Sequence, residues 1–488
     1  MKEIIIDVND LEIKVAFLED GKLIEFFLQK EDQSRINGNI YKGRVENILP
    51  GMESAFVNIG LQKNSFLYVN DLREFEEKFL DGIKNSDRPI EDILKIKDEV
   101  VVQVLKEPRG TKGARVTTHY TIPGKYLVLM PNNDYIGVSK KIKDEEERTR
   151  LENILKDIKP ASIGVVIRTD AQGKNELHFE REMEYLVKKW QEIEANMSTA
   201  KIGEVLYEDN NLIKRVVRDI FSNDVDVLTI NHEKSYWELI DYVSAFSDNS
   251  LNTKIKLYNK EQDMFEFYKI NKEIAKALNS TVYLDCGGSV VIEKTEALIS
   301  IDVNTGKNVG IHNLEETVLE TNLEAAREIP RQLRLRNLSG IIIIDFIDMR
   351  VEEDKTKVLE ELEKNLAKDR IKNNIVHFTD LGLVEMTRKR VGKPLSNYFL
   401  IPCSECQGTG YVKGDSTIIS EIFEEVRKAT LEKDINIINL KLNSDRYNYI
   451  METYVEFLRA YTDKKGKKIK IFKEDTRKIR DYELILEI

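Results

Sequence analysis

Apolar and polar positions alternate with a period of two through the N-terminal segment, as IIIDV, IKVAFLE and KLIEFFLQ, with breaks at Asn9-Asp10 and Gly21-Lys22. That pattern predicts a meander of three short strands. Such a meander is too small to fold alone. Its partner is expected between Gly203 and Leu278, where NLIKRVVRDIF and SYWELIDYVSAF have helical spacing beside the strand-like VDVLTIN. The first domain is therefore expected to be discontinuous. From Gly38 to Thr118 the pattern changes to short strands closely punctuated by Gly, Pro and Asn, which predicts a small β-barrel. The charged REFEEKFLDGIKNSDRPIEDIL interrupts it and reads as a solvated insertion. Beyond the barrel come GKYLVLMPNNDYIGVSKKI, an acidic helix from Asp144 to Ile158, the strand SIGVVIRT and an amphipathic helix over residues 177–200.

The stretch from Ala297 to Met349 carries the most chemistry. ALISIDVNTG and GIIIIDFIDM have strand length and β-branched content, and a charged helix lies between them. Strand, helix, strand is a crossover unit whose strands run parallel and end on the same side. Each ends in an aspartate, Asp302 and Asp345. With neighbouring strands about 4.8 Å apart, two such carboxylates can share a cation. Mg²⁺ suits that arrangement, because it is held by one or two carboxylates and keeps its remaining positions for water and phosphate. Asn304 stands where it can orient a bound water. The alternative is that each Asp caps the turn or helix that follows it.

A net charge of -11 over 488 residues excludes a uniformly basic nucleic-acid surface, so a polyanion must meet local basic patches. The length predicts several domains. No apolar run reaches membrane-spanning length and the start lacks a secretory pattern, so the protein is expected to be cytoplasmic. Three cysteines, Cys286, Cys403 and Cys406, are too few for a disulfide framework.

Several local motifs add to this. VVIRT ends a strand in Arg168-Thr169, a pairing suited to a terminal phosphate, or else to a surface ion pair. The crossover helix places Arg327, Arg331 and Arg334 on one face. That face reads either as a phosphate-tracking stripe or as a solvated surface paired with Glu320, Glu324 and Glu328. A second basic set, Arg388, Lys389, Arg390 and Lys393, precedes the cysteine motif, and Arg370 and Lys372, which follow a helix, are close enough in sequence to reach the same site. Gly287-Gly288 permits a tight turn or a close backbone approach. Cys403-x-x-Cys406, followed by Gly408 and Gly410, is half of a tetrathiolate zinc site, and a second copy of the chain can supply the other half. A redox CxxC is the rival reading. The tail from Lys413 reads as a small α/β domain, with helices at STIISEIFEEVRKAT and SDRYNYIMETYVEFLRAY and strands at INIINLKLN and KKIKIF.

The barrel residues resemble the OB-fold RNA-binding domain, which stacks bases on aromatic rings within a basic groove. Phe56 and Phe66 are the candidate platforms and Lys42, Lys106 and Lys112 the candidate phosphate contacts, although a strand Phe also suits a core. Taken with IDVNTG, IIIIDFIDM, GLVEMTRKR, CSECQGTG and VVIRT, the whole chain resembles the bacterial RNase E/G endoribonucleases. Having no long disordered scaffold tail, it is most similar to the shorter G type. The resemblance implies an α/β multidomain fold. It comprises an RNase H-like subdomain (1–37 and 203–278), an inserted OB-fold barrel (38–119), a 5′-sensor (120–202) and a deoxyribonuclease-like catalytic subdomain (279–400). A zinc link (401–414) and a small dimerisation domain (415–488) follow. It further implies that Asp302 and Asp345 hold a catalytic Mg²⁺ with support from Asn304. Gly124, Val128, Arg168 and Thr169 match a 5′-monophosphate pocket, and Phe56, Phe66 and Lys112 match RNA contacts. Cys403 and Cys406 match a Zn²⁺ link shared in a homodimer that can pair into a homotetramer, with Ser404 where the family often has Pro. Lys372 falls where many relatives carry Arg. The implied activity is hydrolysis of single-stranded, A/U-rich RNA with preference for 5′-monophosphorylated ends, in rRNA processing and mRNA decay. A non-catalytic RNA-binding or ribosome-assembly factor that keeps the barrel is the competing class.

Overall fold

The computed structural model describes residues 1–30, 36–72, 89–108, 112–131, 133–209, 211–247, 250–306, 314–474 and 482–488. Most of the charged insertion in the barrel lies outside them. The chain forms two compact units, Met1–Tyr398 and Phe399–Ile488. No helix among the described residues is long and apolar enough to cross a membrane.

In the first unit, strands Lys2–Val8, Glu12–Glu19 and Lys22–Lys30 form the N-terminal meander. Lys2–Val8 also pairs in parallel with Val227–Ile230, which pairs with Ile255–Leu257, to complete a five-stranded sheet. The run of three isoleucines explains this long-range pairing. Ile4 and Ile6 enter a core shared with Leu212 and Val216, whereas Ile5 faces Met264, Phe265 and Leu335 in another. A strand buried on both faces needs an unbroken apolar run.

Five strands, Ile40–Leu49, Ser54–Asn58, Ser65–Tyr68, Arg115–Thr117 and Glu99–Lys106, close into a barrel when the first pairs with the last. Next, Leu127–Pro131 and Ile163–Ile167 form the centre of a four-stranded sheet. Against it pack the helix Glu145–Ile158, capped by the Asp144 side chain, and the helix Glu176–Met197.

The sheet that carries Asp302 has six strands, in the order Thr281–Tyr283, Ser289–Lys294, Leu298–Asn304, Gly340–Asp345, Leu383–Arg388 and Asn373–Phe378. The crossover helix Leu314–Leu335 and the helix Glu352–Leu366 cover one face, burying Ile301, Ile342 and Ile344 against Ile329, Leu333 and Leu362.

In the second unit, Ile437–Leu442 is flanked by Lys468–Lys473 and Glu483–Glu487. The last strand, ELILE, was not anticipated from sequence. The stretch read as one helix is two, Ser444–Thr453 and Val455–Asp463, broken at Tyr454 where φ is -125° and ψ is -6°.

Candidate active site

Alternation places the carboxylates. In Leu298–Asn304 the buried positions are Ile299, Ile301 and Val303, so Asp302 and Asn304 point to the uncovered face of the sheet. In Gly340–Asp345, Ile342 and Ile344 are buried and Asp345 is exposed. The strands are parallel neighbours, and Asp302 stands in register with Asp345. The crossover geometry expected from sequence is therefore present. Asn304 Nδ2 donates to Asp302 Oδ2 at 2.7 Å and fixes one of the two carboxylates. The Asp345 carboxyl is held above its ordinary range by partial burial and then by the charges of Asp302 and Asp348. Two like charges at one sheet edge make a position that a cation relieves.

The surrounding backbone is fixed by small and buried residues. A Cβ on Gly288 would lie 2.8 Å from the Asn304 carbonyl and 2.7 Å from Thr321, so only glycine lets the turn approach the site strand. Asn322, fully buried on the crossover helix, donates to Ile347 O at 2.8 Å and accepts from Ile347 N at 3.1 Å. It pins the loop that follows Asp345. Sequence reading missed both Asn322 and Asp348. An Asn mid-helix has no distinguishing pattern of its own, but the second Asp of IDFID was visible.

Among the described residues no group of three or more His, Cys, Asp or Glu is gathered as ligands. The protein thus offers a pair of carboxylate donors here. Hard oxygen donors in that number suit Mg²⁺, which retains waters in its other positions.

Arg168, Thr169, Gly124 and Val128 come together at one end of the four-stranded sheet. Arg168 donates to Gly124 O at 2.5 Å and to Asp219 Oδ1 at 2.6 Å. The Thr169 and Ser139 hydroxyls are 3.2 Å apart. Val128 pairs with Val166 and Pro123. Beneath them the buried Glu182 carboxylate accepts the backbone N–H groups of Lys125, Tyr126 and Leu127 at 2.5, 2.8 and 2.9 Å. Burial raises the Glu182 pKa to about 7, against the opposing pull of those N–H donors.

On the barrel, Phe56 and Phe66 are cross-strand partners with ring centroids 6.2 Å apart, edge to face. Both are partly exposed and flanked by buried neighbours, so they stand on the outer surface. Phe66 pairs onward with Arg115, and Arg115 with Lys106, so aromatic and basic groups follow one another around the barrel. Lys112 is exposed beside this row. Arg115, not singled out from sequence, also bonds Asp71 at 2.8 Å. Lys42 departs from expectation. It is buried, and its ammonium bonds Met197 O at 3.1 Å and Glu99 at 3.0 Å, so it does not face a strand of RNA.

The arginine stripe is a second correction. Arg327 pairs with Glu361, Arg331 with Glu328 and Leu23 O, and Arg334 with Glu25. Of the three glutamates proposed as partners only Glu328 serves, while Glu324 accepts the N–H groups of Asp285 and Cys286. Arg331 and Arg334 dock the crossover helix onto the N-terminal meander, whereas Arg327 ties it to the helix Glu352–Leu366. Arg388 is likewise internal, 3% exposed and paired with Asp369 at 2.6 Å. Lys372 accepts a backbone bond from Lys389 beyond the start of the Asp345 strand, at the opposite end of the sheet from the carboxylates, and so is not brought to them.

In the second unit Cys403 and Cys406 lie in an irregular segment that precedes the helix Asp415–Ala429. Gln407, Gly408 and Gly410 have positive φ. The backbone N–H of Gly410, then that of Gly408, holds the Cys406 thiol below its usual range. Cys286 is remote in sequence and packs beside Thr321.

Residues 121–391 match the family model described as Ribonuclease E/G family, and residues 402–487 match RNase E/G, Thioredoxin-like domain. Ribonuclease G of Haemophilus influenzae is 39% identical over 426 residues, 87% of this chain and 87% of that protein. Ribonuclease G of Escherichia coli is 39% identical over 427 residues with the same shares. Ribonuclease E of a Nostoc species is 40% identical over 377 residues, 77% of this chain and 54% of that protein.

Proposed function

The chain is an endoribonuclease of the ribonuclease E/G family, and from that premise we propose that it hydrolyses single-stranded, A/U-rich RNA with Mg²⁺, favouring 5′-monophosphorylated ends. The observation that carries the reading is the in-register pair Asp302 and Asp345 at two parallel strand ends. Bound there, Mg²⁺ supplies a water of lowered pKa and stabilises charge on the scissile phosphate. Asp302 and Asp345 hold the ion, and Asn304 keeps the Asp302 carboxylate oriented through its 2.7 Å bond. Phe56 and Phe66 stack bases, while Lys106 and Lys112 meet phosphates. Arg168 and Thr169 receive the 5′-phosphate together with the Gly124 and Val128 backbone.

The five-stranded sheet (1–37 and 203–278) is read as the RNase H-like subdomain. The barrel (38–119) is read as the OB-fold, residues 120–202 as the 5′-sensor and residues 279–400 as the deoxyribonuclease-like catalytic part. Two thiolates in a turn rich in left-handed residues suit Zn²⁺, which supports residues 401–414 as a zinc link and 415–488 as the dimerisation domain. No strand leads directly into the CxxC, so it lacks the strand-to-helix setting of a redox pair. The cellular roles that follow are rRNA processing and mRNA decay.

The test compares RNAs that differ only at the 5′ end, incubated with Mg²⁺ and with chelator. Faster cleavage of the monophosphate form, abolished by chelator, is expected. Equal cleavage of monophosphate and hydroxyl ends would remove the sensor role from Arg168 and Thr169. Elemental analysis of the purified protein should give about half a zinc per chain; a thiol–disulfide couple without zinc would restore the redox reading.

A further inference from the structure

Most of the cations discussed above are already paired. A cavity of about 900 Å³ at the junction of the N-terminal sheet, the barrel and the catalytic sheet differs. Lys30, Lys294, Arg390 and Lys393 line it. Among the described residues, none of these four side chains has an ion-pair or hydrogen-bond partner. Two carboxylates, Glu107 and Glu296, also reach the cavity, so the four cations leave an excess of positive charge in a chain whose net charge is -11. Tyr398 adds an aromatic surface. An adjacent cavity of about 280 Å³ shares Lys393, but its Arg334 and Arg388 are matched by Glu25 and Asp369.

We propose that the larger cavity is a second binding site for nucleotide phosphates, distinct from the carboxylate pair and from the Arg168 pocket. Four cations from three sequence-distant segments converge here with no ion-pair or hydrogen-bond partner among the described residues. Phosphate oxygens are the groups that Lys and Arg serve together, with Arg giving a fork and Lys a point charge. The volume is within the range of nucleotide-sized ligands, and an aromatic wall suits a base.

The position indicates how such a site serves the enzyme. Ser339, which also lines the cavity, precedes the Asp345 strand. At about 3.3 Å per residue it lies roughly 20 Å along the sheet from the carboxylates. A distal part of a long substrate can occupy the cavity while another part is cut. A free nucleotide carries the same chemistry and is the other source of phosphate.

The experiment uses the full-length protein and the triple variant Lys294→Gln, Arg390→Gln, Lys393→Gln. Binding of 5′-hydroxyl oligoribonucleotides of increasing length is read by fluorescence anisotropy in chelator, between about 50 and 200 mM salt. Each lost phosphate contact lowers the slope of log K against log salt by about 0.7 for a single strand, so the triple variant loses about 2. The loss is expected only with oligonucleotides long enough to span both sites. In a second arm, ADP raises the thermal midpoint of the parent protein and not that of the variant. A slope change identifies the substrate strand as the source, and a lost ADP shift identifies free nucleotide. Unchanged slope at every length together with an unchanged ADP response overturns the proposal. So does an equal slope change in a control triple variant at the exposed Lys188, Lys234 and Lys256. The three substituted cations have no partner among the described residues, so the unliganded midpoint should not move. The single variants, each expected to lower the slope by about 0.7, keep the test open if the triple variant fails to fold.

Discussion

The carboxylate pair and the Arg168 pocket handle charge in opposite ways. Asp302 and Asp345 stand exposed and in register on two neighbouring strands, and among the described residues only Asn304 is bonded to either, so no described cation relieves their mutual repulsion. Arg168 is already engaged, with Gly124 O and Asp219 as partners. The first region gains directly from an incoming cation. The second must exchange the Asp219 bond for a phosphate, so part of its affinity is offset by the partner it gives up. If the proposed function holds, the difference teaches that cleavage would depend steeply on ions, whereas 5′-end preference would be a graded effect set by competition.

Substitutions can break or sharpen this contrast. The largest effect is expected at the carboxylates. Asp302→Asn or Asp345→Asn removes a ligand worth several kcal/mol to the transition state, so single-turnover cleavage should fall by about 10³-fold or more while RNA binding persists. Full activity in either variant would sink the metal assignment. Next come the rings. Phe56→Ala and Phe66→Ala should each weaken RNA binding by about 1–3 kcal/mol with little change in the saturated rate; an unchanged binding curve would return both rings to a purely structural role. Asn322→Ala leaves Ile347 with two lost bonds, and a destabilisation of about 1–3 kcal/mol with a lower kcat at similar KM is expected. If kcat is untouched, the loop does not position Asp345. Arg168→Gln should equalise monophosphate and hydroxyl substrates by slowing the former only.

A further prediction concerns pH. The folded pKa of Glu182, about 7, lies above its unfolded value near 4.5, so the folded state holds the proton more tightly. The stability this contributes is present below about pH 4.5 and lost as pH rises through about 7. Thermal midpoints across that window should decline in the parent protein, and the decline should be shallower in Glu182→Gln. Parallel curves would show that Glu182 does not titrate there.

The juxtaposition of the two carboxylates was readable because a crossover unit brings parallel strands side by side, and Asp302 and Asp345 lie near the same end of them. The N-terminal meander's need for a distant partner was visible too, since three short strands are too small to fold alone. Side-chain pairing was not readable. Helical spacing put Arg327, Arg331 and Arg334 on one face, but it contained nothing to say that Glu361 would take Arg327 or that Leu23 and Glu25 of the meander would take Arg331 and Arg334. Lys42 is bonded by Met197 O and Glu99, and Arg168 by Asp219, all partners brought from elsewhere in the chain by tertiary folding. The final strand ELILE was overlooked because five residues at a chain end carry little periodicity.

Manganese binding, followed by electron spin resonance with Mn²⁺ as the stand-in for Mg²⁺, tests the central claim most directly. The parent protein should bind an ion that Mg²⁺ displaces, and Asp302→Asn should bind it at least about tenfold more weakly, in step with its loss of cleavage. Unaltered ion binding together with unaltered cleavage in Asp302→Asn and Asp345→Asn would contradict the assignment.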